Sequence, residues 1–437
     1  MNLIRLIFLT FVLAMGTFNF AHAQLRIDIT EGNLDPVPIA VVDFSSDRQD
    51  GQALGVEISE IIRADLERSG LFVSISPDKF QTTQTDLNYK PTFADWRVIK
   101  AEALLLGRVV IESPTRIRVE ARLWDISSGE ELAGIVFGTT PNQERRVAHK
   151  ISDAIYEKLT GETGYFDSRI VFVSESGSKI EREKRLAIMD QDGANMMYLD
   201  TGRGMVLTPR FSPSSQRITY LSYESGKGHI YVYDIETGRR ELLGNFPDMT
   251  FAPRFSPDGQ SMILSLMRKG NSDLYAMDLS SRSTKRLTTS PAIDVSGSYS
   301  PDGEKIVFNS DRGGTPQLYV MNADGSSAKR ISFGKGRYNS PVWSPRGDKI
   351  AFVKSRDGKF SIGVMNIDGS GERILAESYM YDVPTWSPNG RVIMFYQETR
   401  GEYGTSSLWS VDLTGRNLRK VSTPLGASDP AWSPLLP

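Results

Sequence analysis

Six copies of one short motif recur through the last two-thirds of this 437-residue chain. They read Phe211-Ser-Pro-Ser-Ser, Phe255-Ser-Pro-Asp-Gly, Tyr299-Ser-Pro-Asp-Gly, Trp343-Ser-Pro-Arg-Gly, Trp386-Ser-Pro-Asn-Gly and Trp432-Ser-Pro-Leu-Leu. The leading aromatics are 44, 44, 44, 43 and 46 residues apart. A repeat of that length with strand-like content indicates propeller blades. The motif itself is a turn: Pro pre-sets φ, and Asp or Asn followed by Gly accepts the tight reversal. The aromatic ends one strand and is suited to packing between neighbouring sheets.

Three more strands follow each turn. Blade three, for example, continues with Ile306-Val-Phe, then Leu318-Tyr-Val-Met-Asn322, then Lys329-Arg-Ile-Ser. Four strands per repeat make one blade. Both ends of the array are incomplete. Ile170-Val-Phe-Val, Leu186-Ala-Ile-Met-Asp190 and Met196-Met-Tyr-Leu match the second, third and fourth strands, whereas Trp432 ends a first strand with no successors. The fragments complete one another, so residues 166–437 are expected to form a six-bladed β-propeller. Its closing blade takes three strands from the start of the array and one from the C-terminus, which leaves no open sheet edge.

Residues 1–23 are of a different kind. Arg5 is the only charge, Leu6 to Met15 is apolar, and Ala21-His22-Ala23 has the form of a cleavage site. This reads as a secretory signal peptide, too short in its apolar run for a transmembrane helix. Cleavage after Ala23 leaves 414 residues beginning at Gln24. With 51 basic and 53 acidic residues in the full chain, loss of Arg5 puts the mature charge at −3. No basic face for nucleic acid is implied. Zero cysteines exclude disulfides and thiol chemistry, which is compatible with a bacterial periplasm. We expect a monomer with no membrane span.

Between the leader and the propeller the pattern mixes strands and helices. Pro38 to Phe44 is a buried-type strand, and Leu54, Ile58, Ile61, Ile62 and Leu66 have helical spacing. Strands are expected over 104–111, 117–126 and 132–139, then a helix over 142–159. Residues 34–165 therefore form an α/β domain, with 161–168 as linker.

Catalytic signatures do not accumulate. The mature chain has two histidines. His149 beside Arg145, Arg146 and Lys150 reads as part of a solvated helix face, and His229 as the start of a propeller strand. No Gly-x-Ser-x-Gly elbow or His-Glu-x-x-His occurs. The Asp-Gly turns at Asp190, Asn322 and Asn366 lack the later ligands of a calcium loop. One polar set stands apart. Asp248, Met249, Phe251, Asp294, Tyr338, Asn339, Asp382 and Asp429 lie where the chain runs into the inner strands, so they should converge on one mouth of the channel. Acidic and aromatic together, they form a candidate binding face, and the acidic ring is a conceivable divalent-cation site. No other metal or cofactor is indicated.

Leader, α/β domain beginning Pro38-Ile-Ala-Val-Val-Asp-Phe44, six Ser-Pro blades and a chain stopping soon after Trp432 together resemble the TolB family of the Gram-negative Tol-Pal system. The resemblance covers the whole chain and implies a non-catalytic periplasmic adaptor. It would bind the lipoprotein Pal through the channel mouth and the C-terminal domain of TolA through the mature N-terminus. Its role would be to maintain the outer membrane and draw it inward at division. The corresponding arm is residues 24–33, with Gln24, Leu25, Arg26, Ile27, Asp28 and Ile29 as the contact residues. The residues themselves show Leu25, Ile27 and Ile29 alternating with polar neighbours. That pattern suits a strand added to a partner's sheet, an edge strand of its own domain, or a switch between the two. The alternative is a lactonase-like propeller hydrolase with a channel metal, which needs convergent Glu, Asn and Asp ligands and a base.

Overall fold

The structure is a computed structural model that describes residues 25–27, 35–81, 86–202, 204–244, 246, 250–268 and 270–437. The leader and Gln24, Asp28, Ile29 and residues 30–33 of the arm lie outside the described residues.

Alternation sets up the N-terminal domain. Ile39 and Val41 of strand Val37–Val41 point to one side of the sheet, Ala40 and Val42 to the other. The sheet runs Phe72–Ser74, Val37–Val41, Ala103–Ser113, Arg116–Asp125, Glu131–Thr139, parallel across the first three strands and antiparallel thereafter. Helices Gln49–Arg68 and Glu144–Thr160 lie together on the Val41 face, burying Ile58, Ile62, Leu66, Ile151 and Ile155. The opposite face is closed by Trp96 of the short helix Phe93–Val98 and by Trp124.

The propeller closes as its repeat implies. Five four-stranded sheets follow in chain order, and a sixth joins Gly426–Trp432 to Arg169–Ser176, Glu183–Asp190 and Met197–Tyr198. Each inner strand touches the next, and Gly426–Trp432 touches both the first and the fifth. Because strands in a blade are antiparallel, all loops leading into inner strands fall on one face, here the upper. The Ser-Pro turns fall on the lower face.

Each inner strand breaks register three residues before its motif aromatic. Thr208, Ser296, Ser340, Val383 and Asp429 there have φ between 49° and 58°, a left-handed conformation that costs a non-glycine residue about 1–2 kcal/mol. The bulges carry bonds between blades. Ser296 N–H donates to Ser265 Oγ at 3.1 Å, Ser340 Oγ to Asp382 at 2.8 Å, and Thr208 N–H to Asp429 at 3.4 Å.

The segment 161–168 is no loose linker. Tyr165 and Phe166 are fully buried, and the core of the α/β domain runs through them into Ile170, Phe172, Met394 and Trp432 of the propeller. Asp153 holds the segment by accepting the Phe166 and Asp167 amides at 2.7 and 3.0 Å.

Candidate functional site

Three regions concentrate the polar chemistry: the upper mouth, the arm and the seam between domains. The upper mouth departs in part from the sequence expectation. Asp248 and Met249 lie outside the described residues, as does the side chain of Phe251. Tyr338, expected to be exposed, is completely buried. Its ring packs on Phe352 with centroids 5.3 Å apart, and its hydroxyl donates to Glu372 at 2.7 Å. Tyr381 is buried on Phe395. Asp294 is buried too, bonded to Arg312 at 2.8 Å, while that guanidinium lies over Phe308 and Tyr319. Each of these contacts lies within one blade, and the side chains are withdrawn from solvent.

Asp382 and Asp429 lie on the inner strands of blade five and the closing blade, where they accept from Ser340 and from the Thr208 amide. Burial raises both carboxyls above their ordinary range, although the Arg210 charge opposes it in each case. Asn339 Oδ1 accepts from Asn309 at 3.3 Å, and Asn309 also bonds the Tyr338 carbonyl, tying blade three to blade four.

What surrounds the upper mouth is a rim that sequence reasoning missed. Met205, Ile293, Phe333, Tyr379 and Leu425 are exposed large apolar residues, each in the loop leading into a different inner strand. Phe333 is 73% exposed. Arg330 stacks on it at 5.2 Å, and Arg400 stacks on Tyr379 at 4.3 Å. A single exposed Leu means little, but five blades each presenting one around a shared opening make a patch of the kind that partners bury. The available signal was position: each lies one to four residues before an inner strand.

The arm is docked. Ile27 is buried, and its amide donates to the Leu159 carbonyl at 2.7 Å. Leu159 sits in the last turn of helix Glu144–Thr160, where carbonyls lack intrahelical donors, so the arm acts as a cap. The Leu25 amide donates to Asp125 at 3.2 Å, and Leu25 packs on the domain core. Arg26 lies against Gly161. The segment 25–27 pairs with a helix end, not with the edge of its own sheet.

The seam is centred on Asp65, which is wholly buried. Its carboxylate lies 2.6 Å from His149 Nδ1, 3.0 Å from Gln191 Nε2 and 2.7 Å from Arg68. His149 is therefore not on a solvated face. Its helix neighbours Arg145 and Arg146 turn to the propeller side, where Arg145 pairs with Asp190 and Asp192, and Arg146 with Asp167. Glu162 pairs with Arg346 and Arg391 in the Ser-Pro turns of blades four and five. The α/β domain thus sits on the lower face. His149, Asp190 and Asp192 are the described residues grouped closely enough to hold a metal ion, and Arg145 already occupies both carboxylates.

An α/β domain seated on the turn face of a propeller that its own last strand closes defines a two-domain propeller protein. The profile of the TolB beta propeller domain matches residues 156–436, and that of the TolB amino-terminal domain matches residues 25–132. The chain belongs to the TolB family. The crystal structure of TolB from Acinetobacter baumannii superposes with a TM-score of 0.82 at 30% identity, covering 94% of this chain and 100% of that one. The Tol-Pal system protein TolB of Paramagnetospirillum magneticum is 52% identical over 230 residues, which are 53% of this chain. That match spans 52% of the relative's length, so the chain covers about half of this curated relative. No helix among the described residues is long and apolar enough to cross a membrane.

Proposed function

We propose that this protein is a non-catalytic periplasmic adaptor of the Tol-Pal system. It is exported by the leader 1–23, which is cleaved after Ala23. It binds Pal at the upper mouth of the propeller and the TolA C-terminal domain through residues 24–33. In this role it supports outer-membrane integrity and invagination at division. The observation that carries the reading is the apolar rim of Met205, Ile293, Phe333, Tyr379 and Leu425 at the entrances to five inner strands, with Asp382 and Asp429 on those of blade five and the closing blade. An apolar ring with carboxylates on the adjoining strands and stacked arginines has the composition of a protein-binding face. Asp248, Met249, Phe251 and Asn339 complete the proposed contact set. Asp294 and Tyr338, being buried, act by holding its shape.

The rim is tested by substitution. Aromatic anchors commonly cost about 2 kcal/mol or more on truncation. Phe333→Ala and Tyr379→Ala should each weaken Pal binding at least about tenfold with the melting midpoint unchanged. Tyr338→Phe removes the hydrogen bond to Glu372 and should lower stability instead. Calorimetric titration with Pal gives the answer, and full affinity in both rim variants would remove this face from consideration.

A further inference from the structure

The channel has a second, lower half that the adaptor reading does not use. There the aromatic-Ser-Pro corners of all six blades surround a cavity of about 420 Å³. That size lies within the range of small-molecule sites. The position just before each motif aromatic faces this cavity, and in most blades it does structural work or is small. Ser298 accepts the Trp343 amide of the next blade at 3.2 Å, and Thr385 accepts that of Trp432 at 3.1 Å. The fourth and closing blades carry Val342 and Ala431. Blades one and two carry Arg210 and Arg254 instead. A guanidinium has five donors and no acceptor, so neither can make the inter-blade bond that Ser298 and Thr385 make.

Both arginines line the cavity with donors unspent. Arg210 is 6% exposed and bonds its own neighbour, the Pro209 carbonyl, at 2.6 Å. The Nε groups of Arg210 and Arg254 are buried without any hydrogen-bond partner. The two differ in charge compensation. Burial pushes the Arg210 guanidinium down, while Asp429 and Asp382 act against that. Burial pushes Arg254 well down, and the next contribution is the like charge of Arg210. Arginine does not discharge its proton under such pressure. Arg254 is part-buried with its Nε wholly withdrawn from solvent, and a cation so placed beside a like charge is costly; an anion delivered to the cavity would relieve the cost.

We propose that the lower half of the propeller channel is a binding site for a small anionic ligand bearing a carboxylate or phosphate group, gripped by Arg210 and Arg254. The planar fork of each guanidinium matches the two oxygens of such a group. The ligand's remaining surface would lie on the motif aromatics. The site is independent of Pal binding at the upper mouth, and its two arginines come from blades one and two. The α/β domain's ion pairs are with blades four and five and the closing blade.

The test uses the full mature protein titrated with inorganic phosphate and, separately, with succinate, at ionic strength matched by chloride. Saturable binding of either ion is expected, together with a rise in melting midpoint that tracks its concentration. Arg254→Met and Arg210→Met should each weaken that binding at least about tenfold. If Arg254→Met does not fold, Arg254→Gln, shorter but still polar with an amide donor, removes the charge and should show the same loss. Phosphate alone binding identifies a phosphoryl ligand, and succinate alone a carboxylate; both outcomes uphold the site. Absence of saturable binding by the parent protein, or equal affinity in the arginine variants, overturns it.

Discussion

Removal of residues 429–437 should collapse the propeller as a unit rather than fray its end. Strand Gly426–Trp432 is the inner strand of the closing blade and pairs with Arg169–Ser176 from Gly426 opposite Glu175 to Trp432 opposite Ile170. It also touches the inner strands on either side of it. Without Asp429–Trp432 the pairings to Ile170 and Val171 are lost, and the ring opens. Trp432 alone is buried, places its ring edge-on to Tyr165 at 5.8 Å, and donates its indole N–H to Ser168 at 2.8 Å and its backbone N–H to Thr385 of blade five at 3.1 Å. Truncating such a residue typically costs about 3–5 kcal/mol. Losing Trp432 together with the rest of 429–437 should therefore remove most of a native stability of about 5–15 kcal/mol. Thermal unfolding and limited proteolysis of the truncated protein should show a broad, early transition and cleavage within the blades. A midpoint within a degree or two of the parent would contradict the composite blade.

Asp65→Ala should be the most damaging single substitution away from the ring closure. It leaves His149, Gln191 and the Arg68 head without their shared carboxylate at a seam where Asp65 itself has no exposed surface. Breaking a buried charged pair typically costs about 3–5 kcal/mol. The pH dependence carries the sign. Burial pushes the His149 imidazole down, but the Asp65 charge and hydrogen bond outweigh it, so its pKa is raised from 6.5. A raised histidine contributes stability that is complete below its unfolded pKa and lost as pH rises through the folded value. Asp153 acts in the same direction at lower pH. Burial lifts its carboxyl to about 7 from 3.8, so the native state binds the extra proton between those values and stability falls as pH climbs across them. Parent stability should therefore decline from mildly acidic to alkaline pH. In Asp65→Ala the histidine part of that decline should shrink, because of its carboxylate partners only Asp190 and Asp192 remain, and the Asp153 part should ease slightly while persisting, since burial is its main cause. Chemical denaturation across pH reads both, and an unaltered profile in the variant would sink the assignment.

The repeated parts of the fold were the legible parts. A 44-residue period survives any local irregularity, and the two partial repeats complement each other strand for strand. Short elements were not legible. Phe72–Ser74 and Phe93–Val98 offer too few residues for a period to show. The channel mouth was misread for a specific reason. Asp294 and Tyr338 were placed in the loops entering the inner strands, whereas they lie within those strands, ahead of the bulge that shifts each register. The seam failed differently. Arg145, Arg146 and His149 have the composition of a solvated helix face, and their partners Asp190, Asp167 and Asp65 are 45, 21 and 84 residues away. Charge paired at such a distance along the chain is indistinguishable, in sequence, from charge paired with water. Arg210 and Arg254 were visible as a doubled Pro-Arg-Phe-Ser-Pro, and only the channel geometry shows why two blades of six differ.

The arm joins these observations to function. With Ile27 capping the helix that carries His149, residues 25–27 are held by two backbone bonds and one buried side chain. Releasing so short a segment is inexpensive beside releasing an element of the core, so a partner competing for it needs only modest affinity. Coupling between Pal and the arm of about 1–3 kcal/mol would change TolA affinity roughly 5- to 150-fold, and the effect must be reciprocal. The decisive measurement is a titration of the TolA C-terminal domain against the mature protein, with and without saturating Pal, repeated on a chain lacking residues 24–33. The adaptor account predicts that TolA binds the intact protein, that Pal shifts that affinity, and that the armless chain binds Pal normally but TolA not at all. TolA binding at full strength by the armless chain would contradict it.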